Sequence, residues 1–464
     1  MNGDFYLHLF QFNFADYHVN FSFVFDILSI LMLVMITLIG GVVCQYALSS
    51  LASEENKNYF FMHLYGALLS VIFLVVSGNL ILFLIFWMAA QFFSHNMMMF
   101  YNTRLQARMA CWKRNIINLI GDVFIVTSAV FLINNFKSLD FLNLIQAVQN
   151  NDASHSGMVI PSILLAVGVI LKTVQFPFHF WIVEAMEVPV VVSAVMHAGI
   201  INAGGFLLIR MSEVFSDALL MNMILVYSGA LSASFGAISM IYQNDIKKKL
   251  AYSTVSQMGL MIYACGIGAY SIAMVHILVH SLYKSHTFLS TGSLVKEHKT
   301  EVTKTGCFFK NFVLLFSFMY SLFVIYLFYL ERLSSDIIYS YVVLLGFAQS
   351  FFVNRKSYGV YPSFLIAAML FLCFLFYLGI DNYILSHASP FVSVSDDKYI
   401  VDSFFYIFPS LIIFFFSFYL CVFESNKNSS FSKRMKFFFL NGAYLKNIST
   451  RMFLKNIKNE VPYA

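Results

Sequence analysis

Lys172, Glu184, Glu187, His197, His276, His280 and Lys284 lie inside or beside apolar runs between residues 172 and 293. An ionisable group in hydrocarbon costs a few kcal/mol or more, so each of these positions asks for a functional reason. His276, His280 and Lys284 have the sharpest spacing. Four-residue steps put all three on one helical face, over about 12 Å at roughly 1.5 Å per residue. Tyr283 and Thr287 flank that face. Imidazoles titrate near neutrality, so two of them beside a lysine make a proton wire. His-x-x-x-His can also hold zinc, but the glutamate of an HExxH site is absent and no third ligand is evident. No metal is expected in this chain. The remaining reading is a structural polar stripe.

Lys172 closes an otherwise apolar segment, VIPSILLAVGVILK, and Pro177 follows five residues later. Proline cannot continue a regular helix. Freed backbone at membrane depth is tolerated only where it lines protein or water. The spacing predicts a helix broken between Lys172 and Pro177 at a polar cavity; the alternative is a lysine snorkelling to the interface. Glu184 and Glu187 share one helical face and are placed to pair with Lys172 or a nearby lysine, or to sit solvated on an interfacial turn. His197 follows Ser193 by one turn, near Gly199, Gly204 and Gly205, and reads as a relay or a packing group. Lys249, Ser253 and Gln257 form a polar stripe leading inward, with Asp245 placed to pair with Lys249. Asp122 lies about two turns inside its helix, placed to gate or pair, and Asp26 is expected to be solvated at a helix start.

These groups need a membrane bundle to hold them, and the composition supplies one. The chain has 464 residues, 60% hydrophobic and 11% charged, with mean hydropathy +0.77. Soluble domains carry about 25% charged residues. Fifty-four Phe and 26 Tyr suit lipid-facing and interfacial positions. A crossing needs about 20 apolar residues. About 13 segments qualify: 23–48, 59–77, 78–101, 115–135, 157–175, 188–210, 218–242, 250–265, 268–290, 309–330, 336–353, 361–385 and 400–424. The expected fold is therefore an all-α polytopic membrane protein. Residues 1–424 form one transmembrane domain, with its core at about 100–300, and 425–464 form a basic tail.

Loop charge orients the bundle. Loops 102–114, 243–249, 296–310 and 354–360 are rich in Lys and Arg, whereas 136–156, 211–217 and 386–399 are acidic or neutral. Basic loops stay cytoplasmic, which predicts an external N-terminus and a cytoplasmic tail. That tail has eight Lys or Arg against Glu460, and its interleaved Phe437, Phe438, Phe439, Leu445 and Phe453 point to anionic lipid or partner docking rather than nucleic acid. The six cysteines form no CxxC, which argues against iron–sulfur or zinc ligation by thiolates. A cleavable signal peptide is not expected. There is no GxGxxG, P-loop or Ser-His-Asp arrangement, so a transporter subunit is expected rather than an enzyme.

The segments KTVQFPFHFWIVEAMEVPVVVSAVMHAG, DIKKKLAYSTVSQMGLM and HSLYKSHTFLSTGS resemble the antiporter-like subunits of NADH:quinone oxidoreductase, notably subunit 5, and of Mrp sodium/proton antiporters. The resemblance covers about residues 100–300 and implies an antiporter-like fold. It also implies that Lys172, His197 and Lys284 belong to a proton path. Within that superfamily, HAGIINAGGFLLIR and HSLYKSHTFLSTGS resemble the membrane subunits of DabA–DabB inorganic-carbon pumps more closely. Met88 stands after Trp87 where respiratory members have a glutamate, and the late spans lack the respiratory membrane lysine. The length, short of a respiratory subunit 5, points the same way. The resemblance implies a cation-driven subunit of a bacterial inner membrane that energises uptake of CO2 or bicarbonate. Its partner would be a DabA-like zinc protein on the cytoplasmic side, and the zinc would be the partner's. A redox-complex or Mrp-type proton subunit is the alternative, and a structural scaffold the second.

Overall fold

The computed structural model describes residues 5–14, 17–150, 155–215, 218–292 and 430–457. Each of the nine spans expected before residue 293 falls on helix. They are α1 (Ile27–Ser50), α2 (Lys57–Val76), α3 (Leu80–Met98), α4 (Leu105–Phe136), α6 (His155–Lys172), α8 with α9 (Val190–Ala198, Ala203–Arg210), α10 (Leu219–Tyr242), α11 (Ile246–Gly266) and α12 (Tyr270–Leu289). Among the described residues, six helical segments are long and apolar enough to cross a membrane. The spans expected at 309–330, 336–353, 361–385 and 400–424 lie outside the described residues. Short α5 (Phe141–Gln149) and α7 (Phe180–Glu184) were not anticipated as separate helices.

The chain is not purely helical. Residues before α1 form a hairpin, β1 (Phe5–Phe14) paired antiparallel with β2 (Tyr17–Phe25), from Phe5 opposite Phe25 to Phe14 opposite Tyr17. Phe10, Phe12 and Phe14, then Phe21, Phe23 and Phe25, recur at period two, which is strand patterning with aromatic strand formers. The hairpin anchors the α2–α3 turn: Gly78 N–H donates to the Ser22 carbonyl at 2.8 Å. Asn79 then caps α3, accepting from the Leu82 N–H at 2.7 Å.

Charges read as loop or solvated prove to be interior. α4 begins at Leu105, so Lys113 and Arg114 are buried helical residues and not part of a loop. Asp26 is also buried. It caps α1 through the Ser29 N–H at 3.0 Å and accepts from both terminal nitrogens of Arg210, at 2.5 and 3.1 Å. A buried charge must be paired, and this pair ties the start of α1 to the end of α9. Asp245 does not pair with Lys249; its carboxylate caps α11, accepting from the Lys247 and Lys248 N–H groups at 2.9 and 3.4 Å.

Helix approach is set by small residues. A Cβ added at Gly259 would lie 2.4 Å from Ala233 N and 2.8 Å from the Gly229 carbonyl. One added at Gly236 would meet Ser256 N at 2.5 Å. α10 and α11 thus touch backbone to backbone, as close packing in a bilayer requires. Gly259→Val should force them apart at a cost of about 1–3 kcal/mol or more, read as a lowered thermal midpoint in detergent, whereas an added methyl at open Gly41 should be neutral.

The tail returns to the bundle as α13 (Ser430–Leu440) and α14 (Leu445–Ile457). Phe439 is buried with Phe235, Ile238 and Tyr252. The Gln243 amide donates to the Leu440 carbonyl at 3.0 Å. Between the two helices Gly442 has φ +56, a conformation that suits glycine, and a Cβ there would have to displace the Tyr252 hydroxyl.

Candidate functional site

The helix break stands where the sequence puts it. α6 ends at Lys172, and the chain crosses Thr173–Val174–Gln175 before the cis Phe176–Pro177 bond. Val174 is buried with φ 61, a conformation rare for a β-branched residue and one that needs support from its surroundings. That support is visible. The Phe176 N–H donates to Ser232 Oγ at 2.9 Å, the Phe178 N–H to the Gln175 carbonyl at 2.7 Å, and the Gln175 amide to the Thr173 carbonyl at 3.0 Å.

Lys172 is 5% exposed and forms an ion pair with Asp122 of α4. The contact is possible because α4 and α6 cross at Gly121 and Gly168; a Cβ on Gly121 would meet Lys172 Cγ at 2.7 Å. α3 supplies the rest of the shell. The Lys172 ammonium lies 3.7 Å from the Trp87 ring centroid, a cation–π contact. With its amide oriented to match donors and acceptors, Gln91 accepts from Lys172 Nζ at 2.6 Å and donates to Asp122 Oδ2 at 3.2 Å. Trp87 and Gln91 face this centre, whereas Met88 is exposed. The carboxylate beside Lys172 therefore comes from α4. A cavity of about 10 Å³ adjoins Lys172, bordered by Arg114, Asn118, Trp181 and Met196. That is room for about one water.

A second centre forms where α8, α11 and α12 meet. His197 is fully buried, stacked on Phe288 with ring centroids 4.4 Å apart. Its Nδ1 lies 2.9 Å from Thr254 Oγ1. Thr254 already donates to the Leu250 carbonyl at 3.1 Å, so its lone pair accepts from His197 Nδ1–H. This leaves Nε2 as the basic atom, and it has no hydrogen-bond partner among the described residues. Lys284, fully buried, donates to the same Leu250 carbonyl at 3.1 Å and to Ser253 Oγ at 2.8 Å. Among the described residues no carboxylate lies within salt-bridge reach of Lys284. Lys284, Leu250, Thr254 and His197 thus form one hydrogen-bonded chain.

His280 stands one turn before Lys284, buried, with neither ring nitrogen hydrogen-bonded among the described residues. Its ring lies parallel to His276, centroids 6.1 Å apart. Beside it, the Asn202 amide donates to Ser281 Oγ at 2.6 Å. α8 and α9 are separated at this level by Gly199 and a 3-10 turn, Ile200–Asn202, rather than forming the single helix expected over 188–210.

The other expected groups lie apart from these two centres. Glu184 is bound by Lys113, Nζ to Oε1 at 2.7 Å, and not by Lys172. Lys113 also donates to Thr450 Oγ1 of α14 at 2.7 Å. Glu187 closes the 3-10 turn Ala185–Glu187. Lys249 is exposed in the first turn of α11. Lys247, two residues earlier, donates to the Met186 carbonyl at 3.2 Å. Residue spacing revealed neither Gln91 nor Trp87 as partners of Lys172, and it placed Asp122 without naming its partner.

Long apolar helices around a buried titratable interior, with one helix broken beside a lysine, define a polytopic membrane protein with polar centres inside the bilayer. The family model described as NADH:quinone oxidoreductase/Mrp antiporter, TM, matches residues 77–375, and the one for the N-terminus of complex I chain 5 matches residues 12–61. This chain belongs to the NADH:quinone oxidoreductase/Mrp antiporter family. It is 35% identical over 280 residues, 59% of its length, to a protein named probable inorganic carbon transporter subunit DabB1 of Halothiobacillus neapolitanus, and covers 49% of that protein. It is 32% identical over 267 residues to DabB2 of the same organism, with 58% and 48% covered. It is also 35% identical over 286 residues to NAD(P)H-quinone oxidoreductase chain 5 of Synechocystis, with 61% and 42% covered. The chain thus spans about half the length of the curated relatives it matches. Among solved structures, the Mrp complex from Dietzia shares the fold, with TM-score 0.67 and 19% identity over 98% of this chain and 54% of the other.

Proposed function

We propose that this chain is a membrane subunit that conducts a cation, most directly the proton, and that it energises accumulation of CO2 or bicarbonate together with a DabA-like zinc protein. The observation that supports conduction is a set of buried titratable groups on packed helices: Lys172 with Asp122 and Gln91, His197 with an Nε2 that has no partner among the described residues, and Lys284, whose ammonium shares the Leu250 carbonyl with the Thr254 that holds the His197 ring. A proton on Lys172 is balanced by Asp122. His197 offers Nε2 to receive one. Among the described residues, a proton on Lys284 is answered by a carbonyl, a hydroxyl and the Tyr283 ring at 5.8 Å, with no carboxylate in reach. Charge movement between such sites needs no covalent chemistry, which fits a transporter subunit rather than an enzyme.

The carbon reading is supported by the names of the DabB relatives and by Met88 standing outside the lysine's shell. In this reading the chain is multi-pass in a bacterial inner membrane, its N-terminus outside and its tail cytoplasmic, and the zinc is held by the partner. Loop 243–249, Lys113 and the tail share one end of the bundle, in keeping with that orientation. The second reading, a proton-translocating component of a quinone oxidoreductase or an Mrp-type antiporter, is favoured by the equally similar Synechocystis relative.

Growth in air of a carbonic-anhydrase-deficient bacterium tests the choice. Expression of this chain with the zinc partner should restore growth. Failure to grow with both proteins present in the membrane overturns the carbon reading. Co-purification with flavin or iron–sulfur subunits would place the chain in a redox complex instead.

A further inference from the structure

The tail has two faces, and among the described residues only one packs on the bundle. On α13, Ser432 and Phe439 are buried and Met435 is half-buried, a stripe at helical spacing that packs on Phe235, Ile238 and Tyr242 of α10 and on Tyr252 of α11. Tyr242 is the last residue of α10, and Phe235 lies two turns inside it. α10 is long and apolar enough to cross a membrane. A helix seated on its end must therefore lie at the level where hydrocarbon gives way to headgroups.

The opposite face carries what that layer selects. Phe437 is 57% exposed, and Phe438, Tyr444 and Ile448 are exposed beside it. Interleaved with these rings, Lys433, Arg434, Lys436, Lys446 and Arg451 are all exposed. At the same end of the bundle, the first turn of α11 adds exposed Lys248 and Lys249. Exposed aromatic rings alone would be a liability in water, and exposed cations alone would need no rings. Together, on a helix already fixed at the rim, they match a surface that offers both acyl chain and negative charge.

We infer that α13, its turn and the start of α14 form a docking surface for anionic phospholipid headgroups, with the Phe rings at the acyl boundary and the Lys and Arg groups on phosphates. The tail then links the lipid surface to the bundle interior, because Thr450 on α14 receives a hydrogen bond from buried Lys113.

Hydrogen–deuterium exchange on the full chain in nanodiscs tests this surface. One set of discs holds phosphatidylcholine alone, the other an equal mixture with phosphatidylglycerol. Amides of residues 430–450 should exchange several-fold more slowly in the anionic discs. Lys433→Gln, Arg434→Gln and Lys436→Gln should each weaken that lipid effect about fivefold, from the attraction of one basic group near an anionic surface. The combined swap Lys433→Arg, Arg434→Lys and Lys436→Arg keeps every charge and should retain the effect, which separates lost charge from a damaged helix. Equal exchange in the two lipids overturns the inference. So does protection that arises only when an acidic protein partner is added, since the surface would then belong to that partner.

Discussion

Asp122→Leu is expected to abolish cation transport and to destabilise the protein by about 3–5 kcal/mol, because it strands the Lys172 ammonium in the bundle without its carboxylate. The two side chains are 10% and 2% exposed, so bulk water cannot reach the stranded ammonium, and the single water that the adjoining cavity admits carries no charge. Gln91 and the Trp87 ring remain, but neither carries a charge. The informative variant is the double one. Lys172→Met with Asp122→Leu removes both charges and fills the space with apolar atoms, and such replacements of buried pairs are often neutral or stabilising. The double variant should therefore recover most of the stability and none of the transport. Thermal unfolding in detergent reads the first, and proton uptake by proteoliposomes carrying the assembled complex reads the second. Transport by a well-folded double variant would show the pair to be a structural clamp and would favour the scaffold reading.

Lys284 should behave in the opposite sense. It is held by the Leu250 carbonyl and Ser253 Oγ, so its removal strands no charge. The Leu250 carbonyl keeps Thr254 as a donor. Lys284→Met should cost only about 1–3 kcal/mol, the net worth of two hydrogen bonds. Transport should nonetheless fall about a hundredfold or more, as expected when a positioned proton carrier is lost. Lys284→Arg sharpens the test, because arginine keeps the charge and stays protonated. An arginine variant that transports normally would reduce Lys284 to a fixed charge and remove it from the path.

These contrasts follow from contacts that sequence spacing does not carry. Most of the nine spans before residue 293 were legible as long apolar runs, although 250–265 is short with a polar start and 188–210 folds as two helices, and the break after Lys172 was legible because Pro177 marks it. His276, His280 and Lys284 share a face because four-residue spacing is local. Asp122 stands 50 residues from Lys172, and no periodicity links two positions on different helices. The same holds for Arg210 and Asp26, 184 residues apart, where a helix start suggested a solvated acid. Lys113 was assigned to a loop because charge density marks helix ends, yet a buried carboxylate can hold a lysine well inside one. Glu184 was read as pairing with a lysine or as solvated on an interfacial turn, and the fold buries it against Lys113 rather than Lys172. The hairpin before α1 escaped notice because its phenylalanines raise hydropathy as a membrane helix would, and only their alternation tells the two apart.

The hydrogen bond from Lys113 to Thr450 joins residues 337 positions apart. A ribosome releases the chain from its N-terminal end, and domains generally form in that order. Lys113 therefore meets Glu184 long before Thr450 is made. Closure of that contact follows the making of α14 and ties the tail to the end of α4 that Glu184 already holds.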